Sequence, residues 1–226
     1  NDTVFVANVT STSYTIEGLE VYTDYCFRVE ALRNAQAFVS ETACARTLDL
    51  VIAAPTNVLA TATSTSEIVL TWNSVEHAMS YNVYNDTVLV ANVTSTSCTV
   101  EGLEVYSDYC FRVEALRNAQ SFVSETACAR TLDLVISAPE NVVAEATGIS
   151  TIELTWDEVE HAMSYNVYND TVFVANVTST SYTVEGLEVY TDYCFRVEAL
   201  RNAQSFVSET ACTRTLDLVI AAPENV

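Results

Sequence analysis

The stretch beginning NDTVFVANVTSTSYT at Asn1 returns at Asn85 and again at Asn169, so the chain repeats itself at one fixed spacing. No insertion or deletion separates the copies. Over the stretch that all three share (1–58, 85–142 and 169–226), the first and third differ only at Ile16/Val184, Ala37/Ser205, Ala45/Thr213 and Thr56/Glu224. Self-similarity at a fixed period marks a modular array. A catalytic constellation is usually singular, whereas here every polar group recurs once per unit. The pattern therefore points to a mechanical or multivalent role and leaves the ligand open.

A unit running from one such Asn to the next is large enough to bury one small core. A chain that is 50% hydrophobic is not disordered by default. No apolar run approaches a membrane span, and no basic-then-apolar leader opens the chain. Asn1 is accordingly expected to be a processed or truncated end. The net charge is −21, and all nine basic residues are Arg. Such a surface repels phosphate backbones and anionic membranes, so neither nucleic-acid binding nor membrane insertion is expected. The acidity reads as solubility and suppressed sideways aggregation. Loose divalent-cation binding between modules is the alternative, but no Asp-rich loop has calcium-ligand spacing.

Each unit holds short alternating segments rich in Val, Thr and Tyr between polar turns, which predicts an all-β sandwich of seven strands. In the central copy these are 57–63, 67–72, 80–84, 88–92, 97–100, 108–116 and 122–132. Alternation puts Tyr109, Phe111, Val113 and Ala115 on the core face of the sixth segment, with Cys110, Arg112 and Glu114 outward. In the second segment Ile68, Leu70 and Trp72 point inward. Pro55 and Pro139 precede the first strand of each full unit, where a missing N–H costs nothing.

The order Pro55, Trp72, Tyr81, Gly102-Leu103 and Tyr109 through Ala115 resembles the fibronectin type III domain. The matching stretches read LTW, SYNVY and EGLEVYSDYCFRVEAL. The resemblance covers essentially the whole chain and implies tandem immunoglobulin-like sandwiches. It implies a core around Trp72, Trp156, Leu19, Leu103 and Leu187, and a tyrosine corner at Tyr25, Tyr109 and Tyr193 that bonds backbone across a turn. The family's usual Pro after the Leu is replaced by Val21, Val105 and Val189. No RGD tripeptide is present, and the turn between the last two strands reads Arg-Asn-Ala-Gln. The expected domains are 1–49, the C-terminal half of a module with strands C′ to G; 53–133 and 137–217, two complete modules; and 218–226, a linker and the start of another.

Seven cysteines divide into Cys26/Cys44, Cys110/Cys128 and Cys194/Cys212, each pair 18 apart, and a single Cys98. If the last two strands form a hairpin centred near residue 35 of the first copy, each pair lies opposed on the outer face. A disulfide is expected there, with paired free thiols as the alternative. Disulfides imply an oxidising compartment, hence an extracellular or cell-surface location. Cys98 stands where the other copies have Tyr14 and Tyr182, and reads as a drifted core residue or an intermolecular crosslink.

Each copy carries two Asn-x-Thr triplets, at Asn1 and Asn8, Asn85 and Asn92, and Asn169 and Asn176. They are candidate N-glycosylation sites, or Asn chosen for its tolerance of turn dihedrals. Asn85 and Asn92 are both expected to be exposed on one edge. His77 and His161 occupy the same loop position and read as solvated surface. No phosphate loop, nucleophile elbow or zinc signature occurs, so no catalytic residue, cofactor or metal is expected.

Between units runs LDLVISAPENV, from Leu132 to Val142, short and apolar where a flexible tether is Gly/Ser-rich. Leu134, Val135 and Ile136 are expected to bury against a neighbouring domain. The chain starts and stops out of phase with its units, which suggests a window cut from a longer repetitive polypeptide, or a half-unit rescued some other way. The expected role is a non-enzymatic repeat of a secreted or surface fibre, stalk or adhesin, giving spacing and stiffness. Its partners would be further copies of itself or other surface proteins, and glycans where these are bound. The alternatives are accessory modules of a large secreted hydrolase, or sugar binding through Tyr22, Tyr106 and Tyr190.

Overall fold

The computed structural model describes residues 4–219; Asn1 and the expected start of a further module beyond Val219 lie outside them. The chain is all-β and divides into two compact units, Asn1–Leu132 and Asp133–Val226. No helix among the described residues is long and apolar enough to cross a membrane.

The first copy forms β1 (Asp24–Phe27), β2 (Glu30–Arg33), β3 (Gln36–Val39) and β4 (Ala43–Arg46). They make two small ladders, β1 with β4 and β2 with β3. Strands equivalent to C′ and E were expected here as well, but residues 4–23 carry none. In the complete modules these strands pair with the equivalents of strands B and C, and the first copy has no such partners among the described residues. Leu19 and Tyr25 are half-buried, like their counterparts in the complete modules, but unlike them pack against neither core cluster.

The rest of the first unit is a complete sandwich. Its strands are β5 (Leu59–Ala62), β6 (Ile68–Thr71), β7 (Ser80–Asn85), β8 (Val88–Val93), β9 (Ser97–Val100), β10 (Asp108–Arg117), β11 (Gln120–Val123) and β12 (Ala127–Arg130). One sheet runs β5-β6-β9; the other runs β11-β10-β7-β8, with β12 also paired to β10. The second unit repeats this with β13 (Val143–Ala146), β14 (Ile152–Thr155), β15 (Ser164–Asn169), β16 (Val172–Val177), β17 (Ser181–Val184), β18 (Asp192–Arg201), β19 (Gln204–Val207) and β20 (Ala211–Arg214). Its sheets are β13-β14-β17 and β16-β15-β18-β19, with β20 on β18.

Alternation along each strand sorts the core. Phe111, Val113 and Ala115 of β10 meet Ile68 and Leu70 of β6 in one fully buried cluster. Trp72 joins it and packs edge-on against Tyr81, with ring centroids 5.5 Å apart. Phe195, Val197, Ala199, Ile152, Leu154 and Trp156 form the same cluster in the second unit. Leu103 and Tyr109, with Leu187 and Tyr193, are partly buried against these cores.

The seventh expected segment is broken into β11 and β12. Cys110 and Phe111 pair with Cys128 and Ala127, but Glu114 pairs with Val123, so three residues of the later strand oppose two of β10. Ser124 sits in that bulge and is buried. Its amide donates to the Val113 carbonyl at 2.8 Å, and its Oγ accepts from the Val113 amide at 3.0 Å. The hydroxyl thus replaces the backbone partner that the bulge displaces.

Each unit contains one of the two tryptophans, so each core has its own fluorescent reporter. Phe195→Ala should destabilise the second unit by roughly 3–5 kcal/mol through lost burial and the cavity left behind. Denaturant unfolding followed in Trp72→Phe and Trp156→Phe backgrounds should move only the Trp156 transition. A matching shift at Trp72 would mean that the two cores are not independent.

Candidate functional site

The most elaborate polar assembly joins the turn after β10 to the segment preceding β5. Asp49 is nearly buried, with side-chain exposure of 9%. Its carboxylate accepts from Arg117 Nε at 2.7 Å, Asn118 Nδ2 at 2.8 Å and the Leu50 amide at 2.8 Å. Arg117 Nη1 also donates to the His77 carbonyl at 2.9 Å. Gln120 Nε2 donates to the Leu50 carbonyl at 2.7 Å, and its Oε1 accepts from the Ile52 amide at 3.4 Å. The second unit reproduces every contact, with Asp133 held by Arg201 at 2.8 Å and Asn202 at 2.8 Å. Gln204 there spans Leu134 and Ile136 at 2.7 and 3.3 Å.

Local backbone explains the placement. Asn118 and Asn202 hold φ of 47° and 46°, a left-handed conformation that Asn tolerates best among residues with side chains. His77 and His161, at φ 66° and 67°, turn their carbonyls toward the Arg. Their imidazoles are solvent-facing, but the backbone of this position is structural, which residue type alone does not reveal.

Ile52 and Ile136 are buried in the cores that follow them, at 4% exposure each, while Val135 is 79% exposed. The expectation that Val135 buries is therefore corrected: in extended chain, alternate residues face opposite ways. At the other end of each module Thr131 and Thr215 are buried. Thr131 Oγ1 donates to the Glu104 carbonyl at 2.6 Å and accepts from the Ser107 amide at 2.9 Å. The Leu132 amide donates to the Ser64 carbonyl at 3.0 Å. The first module is thus anchored from Asp49 to Leu132, and the Leu216 amide bonds the Gly148 carbonyl at 3.1 Å to close the second. Each span equals one full sequence period, since Leu132 precedes Asp133, the repeat of Asp49.

The corner tyrosines accept backbone bonds: Glu20, Glu104 and Glu188 amides donate to the hydroxyls of Tyr25, Tyr109 and Tyr193 at 3.0, 2.9 and 2.9 Å. Cys26–Cys44, Cys110–Cys128 and Cys194–Cys212 are disulfides with Cα atoms 4.1 Å apart. The Thr131 amide bonds the Ser107 carbonyl, so pair 107/131 is hydrogen-bonded and pair 110/128, three steps on, is the close non-hydrogen-bonded kind. Tyr22, Tyr106 and Tyr190 each lie under an Arg guanidinium at 4.8 Å. Those Arg residues also pair with Asp24, Asp108 and Asp192, holding these carboxyls below the usual range. One face of each ring is therefore already occupied by a cation.

On the outer sheet face Glu114 accepts from Asn82 at 3.0 Å and Tyr84 at 2.8 Å. These bonds lower its pKa and raise that of Tyr84. Asn92 extends the ladder, donating to Asn82 Oδ1 at 2.7 Å. Asn8, Asn92 and Asn176 are exposed, but Asn85 and Asn169 are half-buried with enclosed Oδ1 atoms, against expectation. Their place at the end of a central strand, ahead of the turn at Asp86 or Asp170, explains it. Cys98 carries a free thiol, half-buried against the core, and burial pushes its pKa up. No group of three or more His, Cys, Asp or Glu among the described residues is placed to hold a metal.

A family model described as "Fibronectin type III domain" matches residues 53–127 and 137–211. Chitinase A1 of Niallia circulans is 32% identical over 161 residues, covering 64% of this chain and 23% of that protein. Neogenin of Rattus norvegicus is 31% identical over 169 residues, covering 64% of this chain and 12% of neogenin. The solved structure of FN3tt mut is 26% identical, covers 37% of this chain and 99% of its own, and superposes with a TM-score of 0.34. The chain spans less than a quarter of the length of these two full-length relatives.

Replacing Cys110 and Cys128 with Ser should cost the first unit roughly 3 kcal/mol, because the crosslink closes a short loop in the unfolded chain. Denaturant midpoints followed at Trp72 check this. Acid should weaken both modules. Burial raises the Asp133 pKa, but bonds from Asn202, Arg201 and the Leu134 amide outweigh it, so the folded value is depressed. Asp49 behaves alike. Stabilisation by a depressed carboxyl is complete above its unfolded pKa near 4 and is lost as pH falls through the folded value. Tm should therefore decline below about pH 4, and Asp133→Asn should lower Tm at pH 7 and flatten that decline.

Proposed function

Because the chain belongs to the fibronectin type III family, we propose that it is a non-enzymatic structural array of an extracellular or cell-surface fibre, stalk or adhesin. Its task is spacing. The observation that carries the reading is that each module uses its whole period. Leu132 is bonded into one module, and the next residue, Asp133, is bonded into the following one. The two anchors are adjacent residues, so the modules follow one another at a fixed interval along the sequence. Near-identical copies support the same reading, since a repeated spacer needs only to be regular. The disulfide in each copy supports an oxidising, extracellular setting. Partners are further copies or other surface proteins, contacted through an acidic surface that disfavours nucleic acid.

The likeness to a chitinase favours a second reading, in which these modules separate parts of a secreted hydrolase and catalysis lies elsewhere in that protein. Electron microscopy of native material distinguishes the two. Filaments with a regular axial repeat support the array, whereas discrete particles carrying hydrolase activity reject it.

The sequons divide by exposure. In a secretory host that modifies Asn-x-Thr, peptide mass mapping should find glycans at Asn92 and Asn176 and bare side chains at Asn85 and Asn169. A glycan on Asn85 would have to draw an enclosed amide into solvent. Heavy occupancy at Asn85 in folded protein would contradict this.

A further inference from the structure

The Arg-Asn-Ala-Gln turn does more than close a hairpin. In both complete modules its polar side chains converge on a stretch of extended chain that approaches from outside the two sheets. We propose that this turn is a recognition site for an extended peptide of the form Asp-x-x-Ile, and that it decides which segment may precede a module. The inference holds whether the array is a fibre or an enzyme's spacer.

Three readouts act together. A carboxylate at the first position is gripped by Arg201 Nε and Asn202 Nδ2, each at 2.8 Å, and more loosely by Gln204 Nε2 at 3.3 Å. Its short reach matters, because the same carboxylate also accepts from the Leu134 amide at 2.8 Å, one residue on. Glu would carry its charge a methylene further and could not close that local bond while meeting Arg201 Nε. The Gln204 carboxamide then spans the Leu134 carbonyl and the Ile136 amide, two residues apart. A parallel strand neighbour makes that same pair of bonds, so this part of the peptide is read through backbone alone. At the fourth position the Ile136 side chain enters the core.

The third position's side chain is left unread: Val135 stands 79% exposed. The first unit shows the same selectivity. Asp49, Leu50 and Ile52 meet Arg117, Asn118 and Gln120 at 2.7, 2.8, 2.7 and 3.4 Å, while Val51 is also 79% exposed. The same residues thus make the same contacts in both complete modules. Arg201 is only 13% exposed, so removing the carboxylate would leave a charge largely out of water with one partner fewer.

Hydrogen exchange on the full chain at pH 7 tests the recognition. The Ile136 amide reports occupancy of the site, and the Val197 amide, bonded to Ser208 Oγ, reports whether the module stays folded. Asp133→Ala and Asp133→Glu should each speed Ile136 exchange by about tenfold, as expected for losing bonds to a charged group, and by clearly more than Val197, which follows the stability of the module as a whole. Val135→Thr should leave both amides within about twofold of wild type, since the side chain is solvent-facing. Gln204→Ala should accelerate Ile136 while Asp133 keeps its grip on Arg201. Wild-type Ile136 protection in Asp133→Glu would overturn the proposal, as would equal loosening by Val135→Thr. If Asp133→Ala unfolds the module, the Glu and Gln204 variants decide the matter.

Discussion

Strand β10, with its counterpart β18, sets the register of everything else in a module. Running from Asp108 to Arg117, it pairs with β7 on one side and with β11 and β12 on the other. Its inward residues, Phe111, Val113 and Ala115, are fully buried at the centre of the core. Its outward residues carry the disulfide at Cys110, the backbone-anchoring Arg112 and the carboxylate Glu114. Its last residue, Arg117, delivers the turn that holds the incoming segment. A shift of one residue would turn the core face to solvent and move all of these groups at once. The first copy tests that dependence: its equivalent strand lacks the β7 neighbour, breaks into β1 and β2, and leaves Val29 exposed at 72% where its counterpart Val113 is fully buried.

Much of this was legible in the sequence because the strands alternate cleanly and the period repeats without a gap. The inward sets on β6 and β10, the fold class and the opposition of Cys26 with Cys44 all follow from spacing of two along a strand. What escaped was set by backbone geometry instead. Ser124 occupies a bulge that splits the last expected strand, and no composition rule separates a bulge Ser from an exposed one. Thr131 is buried because its hydroxyl serves two backbone groups of a distant turn. His77 contributes a carbonyl rather than an imidazole, so a search for titratable groups passes over it. Asn85 looked like a turn residue and is instead the enclosed end of a central strand.

The charge distribution follows the same economy. A chain of net charge −21 without Lys has given its cations to sites that need a planar, many-donor head. Arg130 and Arg214 pair through two nitrogens with Asp108 and Asp192 while covering a Tyr ring. These pairs are about half exposed and contribute little to stability. Arg117 and Arg201 are different: they are mostly enclosed and each connects a turn carbonyl with an incoming Asp. Uncompensated acid remains on the surface, where it discourages sideways pairing of the exposed edge strands β8 and β16.

Hydrogen bonding also relocates the boundary between repeats. Similarity to the family begins at residues 53 and 137 and ends at 127 and 211, yet the bonds begin at Asp49 and Asp133 and run to Leu132 and Leu216. The extra residues at both ends are the ones that tie a module to its own turns. Four of them, Asp-Leu-Val-Ile, precede the first residue that the family model recognises. A module cut at the similarity boundary would lose the carboxylate that neutralises Arg117 or Arg201 and the Ile that fills one end of the core. It would also lose Thr131 or Thr215, which fastens the corner turn. The physical unit and the sequence period are then the same length, with Leu132 bonded into one module and Asp133 into the next.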